Sequence, residues 1–322
     1  MPALSMAAKR DSMKLAASRT DALAIVGKKT EKDDSTSAAE KYFGEKDDSS
    51  RKSLPAVNIF PVGPARVNCM LVLDVRESPA RLNIVNPGAD FEEIMAELKG
   101  MIADLGVGEI QLDHILISHA HVNTFSVANR LLALGDGAGH IVLHEADKFL
   151  WDRWETQIAE LGLEQLDAEN VGQPTMLLSQ PDTYLQSGLM KIRCLHTPGV
   201  SPGSTCYFFD GIDVVYSGCV LLANAVGRTS WIGIRSLDGT ANARVLRRSI
   251  DEVLVDKLEP DVQVVPAFGP LSTIRNELHL NGHLKVLSHR WLAYDDIQAA
   301  AKRREQAALA LAADPQGDGL PF

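Results

Sequence analysis

His119 and His121 stand one residue apart in the stretch LDHILISHAHVNTFSVANRLLAL, residues 112–134. Alternate side chains of an extended backbone point the same way, so both imidazoles can reach one metal ion. A metal held there would lower the pKa of a bound water and make it a nucleophile for hydrolysis. Two exposed turn histidines have the same spacing, so the chemistry requires further ligands from elsewhere in the chain.

The elements that must position this pair can be read on either side of it. Residues 113–118 are dominated by Ile and Leu, as in a strand buried on both faces, and residues 125–134 carry apolar side chains at helical spacing. Upstream, 57–60, 70–75 and 82–85 read as strands. Residues 91–105 read as an amphipathic helix, opened by Asp90 as N-cap and closed by Gly106. Downstream come a strand at 141–143 and a helix over 145–162 with Trp151 and Trp154 as core residues. Strands at 190–196, 205–209 and 214–217, a helix over 241–258 and a strand at 262–265 complete the pattern.

Five stretches carry a resemblance to a known family: NIVNPGAD (83–90), ILISHAHVNT (115–124), CLHTPGVSPGS (194–204), VVYSGCVLLANAVGRTSW (214–231) and VVPAFGPLSTIRNE (264–277). In this order and spacing the chain from Val57 to Leu284 resembles the metallo-β-lactamase superfamily, and within it the glyoxalase II-like hydrolases. The resemblance implies an α/β fold, a four-layer αββα sandwich. It covers residues 55–284, preceded by a polar N-terminal arm (1–54) and followed by a helical C-terminal extension (285–322).

In active members of the family the turns read HxHxDH and PGHxPG, and two strands end in GD and PGHGP, which together make a cage for two divalent metals. This chain keeps His119 and His121. Asn123 stands at the aspartate position, Thr124 and Val200 at two histidine positions, Cys219 at the bridging aspartate and Phe268 at the last histidine. The strand-end DPG is Asn86-Pro87-Gly88. Pro87, Gly88, Pro198, Gly199, Pro202, Gly203, Gly218, Gly227, Gly269 and Pro270, which set turn geometry, all stand where the family has them. The resemblance therefore implies a kept scaffold around a dismantled metal cage, a catalytically inactive member with no cofactor that serves as a structural or regulatory subunit.

Two alternatives stay open. Two imidazoles, the Cys219 thiolate and a water would make a tetrahedral zinc site for a thioesterase or glyoxalase II-like hydrolase, with His119, His121 and Cys219 as ligands. Val200 and Phe268 would instead make the old cleft an apolar pocket for a small molecule or acyl group. His196 reads as a satisfied structural histidine, Arg228 as a loop brace beside Ser230, and His279, His283 and His289 as surface or packing residues.

A chain of 322 residues, 45% hydrophobic and 23% charged, has the composition of a globular protein, and no apolar run approaches membrane-spanning length. The net charge of -10 argues against general nucleic-acid binding, which needs clustered Lys and Arg. Four cysteines without framework spacing, and an N-terminus without the apolar core of a secretory signal, point to an intracellular location. Lys9, Arg10, Lys14 and Arg19 fit a transit peptide in part while Asp11 and Asp21 do not, leaving cytoplasm and mitochondrial matrix both open. Residues 1–54 are too polar to bury a core alone, and 285–322 are helix-prone, so both are expected to dock on other protein subunits.

Overall fold

A computed structural model describes residues 54–284 apart from 136, 167, 169–170 and 230–238. The expected arm, the C-terminal extension and Ser230 lie outside these residues. Strand β2 (Val67–Asp74) shows how the layers arise. Met70 and Val72 point to one side, Cys69, Leu71 and Leu73 to the other, and all five are buried. A strand apolar on both faces must be covered on both.

Six strands form the first sheet in the order β1 (Ala56–Val62), β2, β3 (Ala80–Val85), β4 (Ile110–Leu116), β5 (His140–His144) and β6 (Met176–Leu178). The first three pair antiparallel and the rest parallel. The second sheet runs β14 (Ser272–Thr273), β13 (Gln263–Pro266), β10 (Val214–Gly218), β9 (Thr205–Phe209), β8 (Met190–His196) and β7 (Asp182–Ser187). A small ribbon pairs β11 (Leu221–Leu222) with β12 (Ala225–Val226).

Met70, Val72, Val85, Leu116 and Val142 of the first sheet share one buried cluster with Ile192, Tyr207, Phe209, Tyr216 and Val265 of the second. This is the layer between the sheets. The alternate residues join helices in a second cluster: Ile94, Leu98 and Ile102 of α1 (Phe91–Leu105), and Leu246 of α5 (Gly239–Ser249) with Ile250 and Leu254 beyond it. Helices therefore lie outside both sheets, and the expected αββα sandwich is the observed one. At one end the sheets are tied together directly. The Asn68 N–H donates to the Ala267 carbonyl at 2.8 Å, and its side-chain amide donates to the carbonyls of Pro266 and Gly269, each at 2.9 Å.

Helix α1 has the expected limits. Asp90 accepts the Glu93 N–H at 3.1 Å, and Gly106 closes the helix in the left-handed conformation. The helix expected over 125–134 is shorter. A 3₁₀ turn (Val122–Thr124) precedes α2 (Ala128–Leu132), because the Thr124 hydroxyl bonds carbonyls of the turn and glycines follow from 135. The helix expected over 145–162 is broken into a 3₁₀ turn (Glu145–Asp147), α3 (Lys148–Trp151) and α4 (Trp154–Leu161), so Trp151 and Trp154 lie on different helices. Helix α5 continues as a π-helical stretch (Ile250–Val255), and α6 (Ile274–Leu280) is the last element of the described chain. Among the described residues no helix is long and apolar enough to cross a membrane.

Candidate functional site

The parallel strands β3, β4 and β5 end together, and the HAHVNT turn leaves from the end of β4, where open sheets of this kind present ligands. Four buried side chains hold the turn. Asp147 accepts the Ala120 N–H at 2.9 Å. Gln157 accepts the Val122 N–H at 2.9 Å and donates to the carbonyls of Ala120 at 3.0 Å and Leu150 at 2.7 Å. Phe125, just past the turn, stacks on Trp151 with ring centroids 3.8 Å apart. Thr124 Oγ1 lies 2.8 Å from the carbonyl oxygens of both His119 and His121.

The two histidines meet edge to face, ring centroids 4.6 Å apart and planes at 88°. Both are buried. Burial pushes the His121 pKa down to about 4, and burial with His121 beside it holds His119 well below the ordinary imidazole value, so the site favours the neutral form of both rings. His119 Nδ1 is 3.0 Å from Ser118 Oγ. Ser118 is bound twice by Asn86, which donates its amide to Ser118 Oγ and accepts the Ser118 N–H, each at 2.8 Å.

The second sheet and its loops carry the other positions expected from the resemblance. Gly218 ends β10 at φ +57°, and a Cβ there would lie 2.7 Å from Ser118 Oγ, so only glycine fits. Cys219 follows it, buried, with its thiol pushed up to about 12 by burial. A thiol so raised stays protonated at neutral pH. Val200 is buried with its Cγ2 against Gly227, which itself lies on the Cys219 carbonyl. Phe268 is partly buried on the core. Asn123 is half-buried, and its Oδ1 accepts no hydrogen bond.

Asp147 links the two halves of the site. Besides Ala120, it accepts the Ser201 hydroxyl at 2.7 Å and the Gly203 N–H at 2.6 Å, which ties the HAHVNT turn to the PGVSPG loop. Burial raises its pKa against the pull of these three donors. Beside it His196 donates from Nε2 to the Pro202 carbonyl at 2.8 Å and stacks on His144, ring centroids 3.9 Å apart. His196 is thus the satisfied structural histidine expected. No motif or spacing in the sequence marks Asp147, Gln157, Ser118 or His144.

Among the described residues no group of three or more His, Cys, Asp or Glu side chains is arranged to hold a metal ion. His119 and His121 are together, but Cys219 does not complete a triad with them. A pocket of about 440 Å³ lies elsewhere, between the β1–β2 turn and the start of α1, lined by Arg66, Asp90, Glu93 and Gln165 among others. Neither Val200 nor Phe268 faces it.

Two facing sheets, helices outside both and a strand-end turn bearing paired histidines define the class. A family model described as the metallo-beta-lactamase superfamily matches residues 62–267, and the chain belongs to that superfamily. It is 28% identical over 230 residues to the probable metallo-hydrolase YqgX of Bacillus subtilis (strain 168), covering 71% of this chain and 97% of that one. It is 25% identical over 232 residues to the hydroxyacylglutathione hydrolase GloC of Haemophilus influenzae (strain ATCC 51907 / DSM 11121 / KW20 / Rd), covering 72% and 99%. A protein solved in a di-iron-bound form has the same fold, with a TM-score of 0.52, 23% identity and coverage of 71% and 98%.

These likenesses correct one expectation. The sequence reading assigned no cofactor, with one zinc as the alternative, but the superfamily is a metallo-family and a neighbour of the same fold was solved with two irons. The absence of a cofactor therefore does not follow from the fold. The donor set of this chain does not fit a two-metal centre. Thr124 turns its hydroxyl to the backbone, Val200 and Phe268 offer no lone pair, and among the described residues Cys219 does not join the two histidines in a ligand group.

Proposed function

We propose that this member of the metallo-hydrolase superfamily has ceased to hydrolyse and serves as a structural or regulatory subunit, in the cytoplasm or the mitochondrial matrix. One observation carries the reading: the Thr124 hydroxyl, at a ligand position of the family pattern, is a clip bound to the carbonyls of His119 and His121. A group held this way supports the turn and has no hydrogen left for a substrate or water. The hydrolytic reaction needs ions that hold hydroxide against the scissile carbonyl; Val200 and Phe268 have no donor atom to offer them, and among the described residues Cys219 forms no ligand group with the two histidines. The docking elements in this proposal are residues 1–54 and 285–322.

The test is hydrolysis of a hydroxyacylglutathione thioester by the full chain, supplied in turn with zinc, ferrous iron and manganese. The rate is expected to equal that of the His119→Ala/His121→Ala variant. Metal-dependent turnover abolished in that variant overturns the proposal. Removing 1–54 and 285–322 is expected to move the protein in native lysate from a large assembly to its own size. Unchanged elution overturns the subunit role.

A further inference from the structure

The polar contacts beneath His119 determine which of its nitrogens carries the proton. The Ser118 backbone N–H can only donate, and it reaches Asn86 Oδ1 at 2.8 Å, so the Asn86 amide has one allowed orientation. Its Nδ2 then faces Ser118 Oγ at 2.8 Å and donates to it. Ser118 is buried, with the backbone of Gly218 packed against its hydroxyl. Having accepted from Asn86, the hydroxyl has one hydrogen to give, and His119 Nδ1 at 3.0 Å is there to receive it. An imidazole nitrogen that accepts a hydrogen bond carries no proton. In a neutral ring the proton must then sit on Nε2.

We propose that Asn86 is a positioning residue that, acting through Ser118, locks His119 as the Nε2–H tautomer, so that the nitrogen opposite Ser118 presents a proton where a metal ligand presents a lone pair. A carboxylate at 86 would reverse the chain of donors. It would accept both the Ser118 N–H and the Ser118 hydroxyl, the hydroxyl oxygen would accept His119 Nδ1–H, and Nε2 would be left bare. Asparagine and aspartate have the same shape, so the substitution reverses the hydrogen bonds to Ser118 at the cost of the bond that the Asn86 amide also makes to the Tyr216 phenol. Asn86 is also backbone-compatible, since its φ of +45° is one that asparagine tolerates. The inference deepens the reading that the site has ceased to hydrolyse and rests on that reading for its meaning, while its geometry stands apart from it.

The experiment is a long-range proton–nitrogen correlation spectrum of the full chain labelled with ¹⁵N-histidine, recorded at mildly alkaline pH. The His119 signals are identified by their loss in His119→Gln. The native chain is expected to show an acceptor-type Nδ1 and a protonated Nε2 for His119, by roughly tenfold or more over the other tautomer. Asn86→Asp is expected to exchange the two nitrogen types. A native His119 protonated on Nδ1, or a folded Asn86→Asp chain with unchanged nitrogens, overturns the proposal. Should Asn86→Asp fail to fold, the native spectrum and Ser118→Ala decide. Without the hydroxyl the two tautomers should approach a mixture, and an unchanged ratio sinks the relay. Thioester turnover by a native chain whose His119 is Nε2–H overturns the proposed function and leaves the relay. A Nδ1–H ring in a chain without turnover does the reverse.

Discussion

The Thr124 hydroxyl donates to the carbonyl of His121 across 2.8 Å, closing the turn on the residue three places before it. The His119 carbonyl shares the same hydrogen at the same distance. Thr124→Val keeps the shape and leaves both buried carbonyls without this donor, a loss of about 1–2 kcal/mol. Thr124→Ser is expected to retain most of it. Urea unfolding midpoints of the three proteins, compared at constant slope, check the order.

Asp147 bears more. Its carboxylate receives donors from Ala120, Ser201 and Gly203, all buried. Asp147→Ala leaves three donors unsatisfied and is expected to cost about 3 kcal/mol or more. Because these donors belong to two loops, the variant should lose amide protection in 119–124 and 199–204 together. Hydrogen exchange that loosens only one of the loops contradicts the linkage.

Acid should unfold the domain earlier than its carboxylates alone would dictate. Burial lowers the pKa of His114, His121 and His144 from 6.5 to about 4. Each therefore contributes stability that is present above the unfolded value and lost as pH falls through the folded one. The window is about 6.5 to 4, with a slope of at most roughly 1.4 kcal/mol per pH unit for each ring. Asp147 has the opposite sign: its pKa is raised, so its share is present below 3.8 and lost as pH rises through the folded value. His114→Gln should remove about one proton from the slope between those limits. Unfolding free energies measured across the window, with equal slopes for the two proteins, would sink this assignment.

The scaffold was legible in the sequence where the signal was local. Asp90 and Gly106 bracket α1 by their own backbone chemistry, and the alternation along β10 places Val214 and Tyr216 on one face and Val215 on the other. The pairing of His119 and His121 was legible from their spacing. The side chains that hold the turn were not. Asp147 lies 27 residues from Ala120 and 56 from Gly203, and two of its three donors are backbone N–H groups, which look the same at every position. The same carboxylate explains the first break in the expected helix. Asp147 ends a 3₁₀ turn where it meets those donors, so the helix starts only after it; the second break, at Asp152 and Arg153, has no such partner to explain it. Strand β7 was missed because four of its six residues, Asp182, Thr183, Gln186 and Ser187, are polar and it borders the sheet.

The tie between Asn68 and the stretch from Pro266 to Gly269 sets a schedule for the chain during synthesis. Its side-chain bonds span 198 and 201 residues, so the first hairpin leaves the ribosome long before the strand that secures it exists. At bacterial to eukaryotic elongation rates that interval is roughly 10–40 s. Throughout it the inner face of the first sheet, Met70, Val72 and Val85 among its residues, lacks most of the strands that will cover it. A nascent chain with this topology carries an uncovered apolar sheet face until almost the whole domain has emerged, which is the condition under which neighbouring chains can pair with it.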